Sequence, residues 1–128
     1  MNITKKLFSF RKKEVAFFFA HSRIQVVASG LKLYALRSHD FWLKEFPDSH
    51  NAEFGKILII TPGRSGNACE RNLFRRRVKA IYYEEKLYLN KGIFALYAFR
   101  EGTACDYLTL KNFLAKTLSQ PSLVQPLP

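Results

Sequence analysis

Cysteine is scarce in this sequence, and so are tryptophan, histidine and acidic residues. The only cysteines, Cys69 and Cys105, are too few for a disulfide framework and form no CxxC or Cys/His spacing for zinc. They are read as reduced thiols. The histidines, His21, His39 and His50, are scattered and have no partner set for acid–base or metal chemistry, so no catalytic and no metal-ligating residue is assigned. The longest apolar runs, Val15–Ala20 and Ile93–Phe99, fall far short of a membrane span. Six apolar residues after Glu14 also make no signal peptide, and the chain is expected to be cytoplasmic. Internal repeats are absent.

Basic and aromatic residues are plentiful. In 128 residues, 21 Lys and Arg face 10 Asp and Glu, a net charge of +11 with the histidines neutral. Hydrophobic residues make up 48% and aromatics 15%, including 12 Phe. This excludes disorder of the whole and supplies one domain's core. The self-repulsion of such a chain is relieved by a polyanion, with counterion release adding to binding. Nucleic acid is the leading partner class and an anionic membrane surface the second.

The pattern predicts α+β architecture. A basic stretch (Lys5, Lys6, Arg11, Lys12, Lys13) runs into a short helix with Val15, Phe18 and Phe19 at helical spacing. Strands follow at Ile24–Ala28 and 31–37, punctuated by Gly30. Residues 38–51 read as a loop with a turn of helix around Phe41–Phe46. Lys56–Thr61 is an apolar strand, buried on both faces, that ends at Pro62-Gly63. A long helix is predicted from Asn67 to Leu89, a fourth strand over 93–100 and a turn at Glu101-Gly102. Asp106 caps a last helix to Leu118. The order αβββαβα makes a single domain over residues 1–120, with a four-stranded mixed sheet and a βαβ crossover that carries the basic helix. The tail 121–128, with three of the five prolines, is expected to be disordered.

The informative segment is 62–83, PGRSGNACERNLFRRRVKAIYY. Six basic residues and one acid, Glu70, lie between Arg64 and Lys79. At about 100° per residue from Arg71, Arg75 falls near 40°, Lys79 near 80°, Asn72 near 100° and Arg76 near 140°. Phe74, Val78, Ile81 and Tyr82 occupy the adjacent arc. Solvated helix faces mix signs so that neighbours one turn apart attract, whereas Arg71–Arg75 and Arg75–Lys79 are like-charged. Such a face suits phosphate, which guanidinium groups bind in a bidentate manner. Aromatic residues next to cations on the strand face of Lys32 and Tyr34 suit stacking of single-stranded bases.

Gly66-Asn67-Ala68, Arg71-Asn72, Arg75-Arg76 and Val78-Lys79 resemble the signature of the bacterial ribonuclease P protein component, approximately G-N-A-V-x-R-N-R-I-K-R-x-I-R-E. Length and element order over residues 5–118 resemble that family too. The departures are Leu73 for the triplet's last arginine, Ala80 for the closing glutamate, Gly63-Arg64 for a lysine pair, and Val15 for the first of two N-terminal phenylalanines, Phe19 being the second. The resemblance implies an accessory subunit of the ribonucleoprotein endonuclease that removes the 5′ leader from precursor tRNA, with the catalytic Mg2+ held by the RNA subunit. It assigns Arg64, Asn67, Arg71, Asn72, Arg75, Arg76 and Lys79 to the RNA subunit. It assigns a leader cleft to Phe17 or Phe19, Lys32 and Tyr34, with Arg11 and Lys12 at its edge. The implied partners are the RNA subunit and precursor tRNA, with no membrane and no obligate protein partner. A structural, ribosomal-protein-like RNA-binding role is the alternative.

Overall fold

The computed structural model describes residues 3–36, 39–47 and 54–118. Six helices and four strands follow one another: α1 (Ile3–Phe8), α2 (Lys12–His21), β1 (Ser22–Ala28), β2 (Leu31–Leu36), α3 (His39–Glu45), β3 (Lys56–Ile60), α4 (Ala68–Glu84), β4 (Ile93–Ala98), α5 (Arg100–Thr103) and α6 (Tyr107–Leu118). The strands form one mixed sheet in the order β1-β2-β4-β3. β1–β2 and β2–β4 are antiparallel, and β3–β4 is the parallel pair spanned by the α4 crossover. The expected α+β fold with its four-stranded mixed sheet is therefore the observed one.

Strand alternation divides the side chains between two faces. Leu31, Leu33, Ala35, Ile57, Phe94, Leu96 and Ala98 meet Phe74, Val78, Ile81 and Tyr82 of α4, Leu110, Phe113, Leu114 and Leu118 of α6, and Leu7 of α1. On the opposite face Leu36, Ile93 and Ala95 pack with Phe18 of α2 and Trp42 of α3. Among the described residues, α2 and α3 cover only part of this second face, where Ile24 and Val27 of β1 stay exposed. β1 and β2 join through Ser29-Gly30, whose φ values of 55° and 74° are both left-handed, the geometry of a two-residue hairpin turn. Gly30 also presses against Gly102, where a Cβ on either would collide with the other's backbone.

Several element ends differ from the sequence expectation. α4 stops at Glu84, not Leu89, because Lys86 turns left-handed (φ 55°) and a 3-10 turn over Leu87–Leu89 sends Leu87 back into the core. The fourth strand ends at Ala98, and the expected turn at Glu101-Gly102 lies within α5, started by Phe99 in extended conformation. α1 and α5 are additions to the expected order, and α3 occupies the expected helical turn. The run KILII is an edge strand. Its Ile57 and Ile59 face α4 while Leu58 and Ile60 face the α2 side, and the last three remain half-buried. Asp106 caps α6 as expected, accepting from the Thr109 amide at 2.7 Å, which holds its carboxyl below the usual range. The tail 121–128 lies outside the described residues.

Candidate nucleic-acid interface

The motif before α4 is first a helix start. Asn67 is the N-cap: its Oδ1 accepts from the Glu70 amide and its own amide donates to Glu70 Oε1, both at 2.8 Å. The segment's single acid is thus engaged by the capping box rather than by the neighbouring cations. Gly66 has φ 150°, and a Cβ there would lie 2.8 Å from Glu70 Oε1. Arg71 Nε donates to the Gly66 carbonyl at 3.1 Å, and Ser65 Oγ donates to the Ala98 carbonyl at 2.6 Å, tying the helix start to β4.

Beyond this start, α4 sorts as its periodicity predicts. Phe74, Val78, Ile81 and Tyr82 are buried, while Asn72, Arg75, Arg76 and Lys79 are exposed and Arg71 is half-buried. Among the described residues the ion pairs are Arg11–Glu14, Lys56–Glu14 and Lys111–Glu85, none of them on this arc. The Lys79 ammonium lies 5.7 Å from the Phe8 ring. Leu73 is 41% exposed beside the arc, an apolar side chain where the family signature has arginine. Open space surrounds the Cβ position of Gly63, so no packing constraint accounts for the missing cation there.

The uncovered part of the second sheet face forms the other surface. The Phe19 ring, 40% exposed, meets Tyr34 edge-on at 5.2 Å. Lys32 pairs across the strands with Tyr97, and its ammonium lies 5.3 Å from the Phe99 ring, 5.8 Å from Tyr34 and 5.9 Å from Tyr97. Tyr97 and Phe99 touch at 5.0 Å, and an Arg64 guanidinium nitrogen donates to the Tyr97 hydroxyl at 3.2 Å. Ile24 and Val27, 51% and 62% exposed, flank these rings. The result is an open, aromatic and cationic surface.

Of the residues expected in the leader cleft, Phe19, Lys32 and Tyr34 come together. Phe17 does not join them. Its ring packs against Phe41 and Phe46 at 5.2 Å and Trp42 at 6.1 Å, on the side of α2 covered by α3. Arg11 and Lys12 are exposed at the N-terminal end of α2, about two turns, or ~10 Å, from Phe19. Tyr97 and Phe99 also line this surface, and neither is a candidate on the sequence alone. Their strand alternation was visible, but not the antiparallel register that sets Tyr97 opposite Lys32.

A buried ion pair holds α2 to the sheet. Glu14 and Lys56 side chains are both 2% exposed with N–O at 3.7 Å, and the ammonium lies 4.4 Å from the Phe10 ring. Burial lowers the Lys56 pKa, and the Glu14 carboxylate partly opposes that shift. A lysine opening an apolar strand gave no linear sign of this contact. Among the described residues no three His, Cys, Asp or Glu side chains gather as a metal site.

Cations on α4 that lie outside the ion pairs found among the described residues, and an aromatic–cationic surface on the other sheet face, make a basic α+β domain of a kind that suits nucleic acid. The chain belongs to the ribonuclease P family, whose family model matches residues 10–122. A Staphylococcus aureus ribonuclease P protein structure superposes with a TM-score of 0.69 at 14% identity, covering 93% of this chain and 98% of that one. A second structure of that protein gives 0.65 at 14% identity, with full coverage of both chains. A third, described as a mutant with defective mRNA degradation activity, gives 0.66 at 14% identity over 90% of this chain and 87% of that one. At this identity the likeness is one of fold. No curated protein sequence matches the chain.

Proposed function

We propose that the chain is the accessory subunit of the ribonuclease P holoenzyme: α4 binds the catalytic RNA, and the cleft binds the 5′ leader of precursor tRNA. The observation that carries this reading is the position of Arg64. It contacts Tyr97 in the cleft and lies two residues before the Gly66-Asn67 start of α4, so the two surfaces adjoin at one residue. RNA held on α4 and a single strand running along the cleft would therefore meet there.

In this reading the division of work is physical. Arg71, Arg75, Arg76 and Lys79 neutralise phosphates of folded RNA and release counterions. Arg64, Asn67 and Asn72 add contacts at the helix start. Phe19, Tyr34, Tyr97 and Phe99 offer ring faces and edges to unpaired bases, and Lys32 sits among them for a phosphate. Stacking tolerates any base, which suits leaders of varied sequence. The chain binds and orients, while magnesium-dependent hydrolysis belongs to the RNA subunit. Among the described residues no helix is long and apolar enough to cross a membrane, and the working location is the cytoplasm.

The test is multiple-turnover cleavage of a precursor tRNA at low magnesium by a bacterial ribonuclease P RNA, with and without the protein, beside protein alone. Strong stimulation with an inactive protein-alone arm is expected. Tight RNA binding without stimulation would favour a structural RNA-binding protein instead. An unstructured mRNA in the protein-alone arm tests for the activity named for the Staphylococcus aureus relative.

A further inference from the structure

The cationic ridge of α4 does not end at its last cation. Arg71, Arg75 and Lys79 follow at steps of four residues, and the next step is Tyr83. At about 100° per residue Tyr83 falls near 120°, between Asn72 and Arg76 on the same arc. Glu84 and Glu85, which follow it, fall near 220° and 320°, away from the ridge. Glu85 is also held by Lys111 at 3.5 Å. Among the described residues of α4, the ridge therefore reaches its C-terminal end with an aromatic ring and with no carboxylate on its arc.

The ring is prebuilt. Tyr83 is 43% exposed and stacks on Tyr88 with centroids 5.8 Å apart and planes 25° from parallel. Tyr88 is fixed from behind by the edge of Phe54 at 5.2 Å and by its carbonyl, which accepts from the Gly55 amide at 2.8 Å. The left-handed turn at Lys86 brings Tyr88 back under Tyr83. Core packing accounts for Tyr88, which is half-buried, but not for the exposure of Tyr83. A flat ring held against a support, in line with phosphate-binding cations, suits one more aromatic plane.

We propose that Tyr83, backed by Tyr88, is a stacking platform for an unpaired nucleotide of the RNA bound along α4. The proposal rests on the reading of α4 as the RNA-subunit surface. The nucleotide is unpaired because bases within an A-form helix are already stacked and closed to a side-chain ring. A single base on this platform adds affinity without adding a phosphate contact.

The experiment measures binding of Tyr83→Phe, Tyr83→Leu and Arg75→Ala proteins to a bacterial ribonuclease P RNA across a salt series, with chemical probing of unpaired bases in each complex. Tyr83→Leu should weaken binding roughly 5- to 150-fold, the range for one stacked base, at an unchanged salt slope. Tyr83→Phe should bind as the parent, and an unpaired base protected by the parent should regain reactivity in the Tyr83→Leu complex. Undiminished binding by Tyr83→Leu beside weakened Arg75→Ala overturns the platform and leaves the reading of α4 intact. Undiminished binding by both overturns both. Equal loss in Tyr83→Phe and Tyr83→Leu overturns stacking in favour of a hydroxyl contact. A parent complex with no newly protected unpaired base overturns the platform whatever the variants do, including a variant that fails to fold.

Discussion

Arg64 donates to the Tyr97 hydroxyl at 3.2 Å across 33 positions of sequence, joining the turn before α4 to the open sheet face. The contact is exposed, so its contribution to stability is small. Its importance is positional, since it fixes a cation where the helix start and the aromatic cleft adjoin.

Arg64→Ala is therefore expected to weaken both RNA-subunit binding and leader-dependent binding of precursor tRNA. Tyr97→Phe keeps the ring, loses only the anchor, and should leave subunit affinity near that of the parent. Binding of precursor tRNAs with long and one-nucleotide leaders to each reconstituted holoenzyme separates the two effects. A leader-length difference unchanged in Arg64→Ala would remove Arg64 from the leader path.

The α4 arc makes a prediction about salt. With about five phosphates contacted, log K should fall against log salt with a slope near −3.5 to −4.5. Arg75→Ala and Arg76→Ala should each flatten that slope by about one unit. Neither side chain is buried, so melting temperatures should stay within a degree or two. Unchanged slopes in both variants would take this face out of the interface.

What could be read from the sequence follows from the range of each interaction. The α4 arc needs only helical periodicity, so Arg71, Arg75, Arg76 and Lys79 fall on one face without reference to any tertiary contact. Asp106 as a cap and Gly30 in a turn are equally local. Tyr97 and Phe99 became visible only with the β2–β4 register, and Phe17 was drawn out of the cleft by α3, whose packing no periodicity reports. The early end of α4 depends on Leu87 finding the core, a tertiary event. The Glu14–Lys56 pair joins residues 42 positions apart and leaves no pattern in either segment.

That pair is expected to be costly to break and cheap to replace. Lys56→Met alone leaves a buried Glu14 carboxylate without its ammonium, and Glu14→Leu alone leaves a buried ammonium. Each should destabilise the fold by about 3–5 kcal/mol. The double variant Glu14→Leu/Lys56→Met should recover most of the loss, because apolar side chains of similar volume remove both desolvation costs. Urea denaturation of the four proteins closes the cycle. Equal and additive losses in the double variant would show that the two charges are not coupled.

Tyr82 makes the last prediction, a pH dependence. Its side chain is fully buried under α4, packed edge-on against Phe8 at 5.6 Å, and burial drives its phenol pKa far above the ordinary 10.0. The unfolded chain ionises this phenol near pH 10, whereas the folded chain keeps it protonated. Above pH 10 the native state therefore holds more protons than the unfolded state, and stability falls as pH rises. The slope from one such group is about 1.4 kcal/mol per pH unit, and the group contributes no pH dependence below pH 9. Tyr82→Phe removes the titrating group while keeping the ring, so unfolding free energies at pH 9, 10 and 11 should fall less steeply than those of the parent. Lys56 acts in the opposite sense: its folded pKa lies below 10.5, so its contribution rises with pH up to that value. The comparison between parent and Tyr82→Phe cancels it. Parallel curves for the two proteins across this range would mean that the Tyr82 hydroxyl reaches solvent or a base in the folded state.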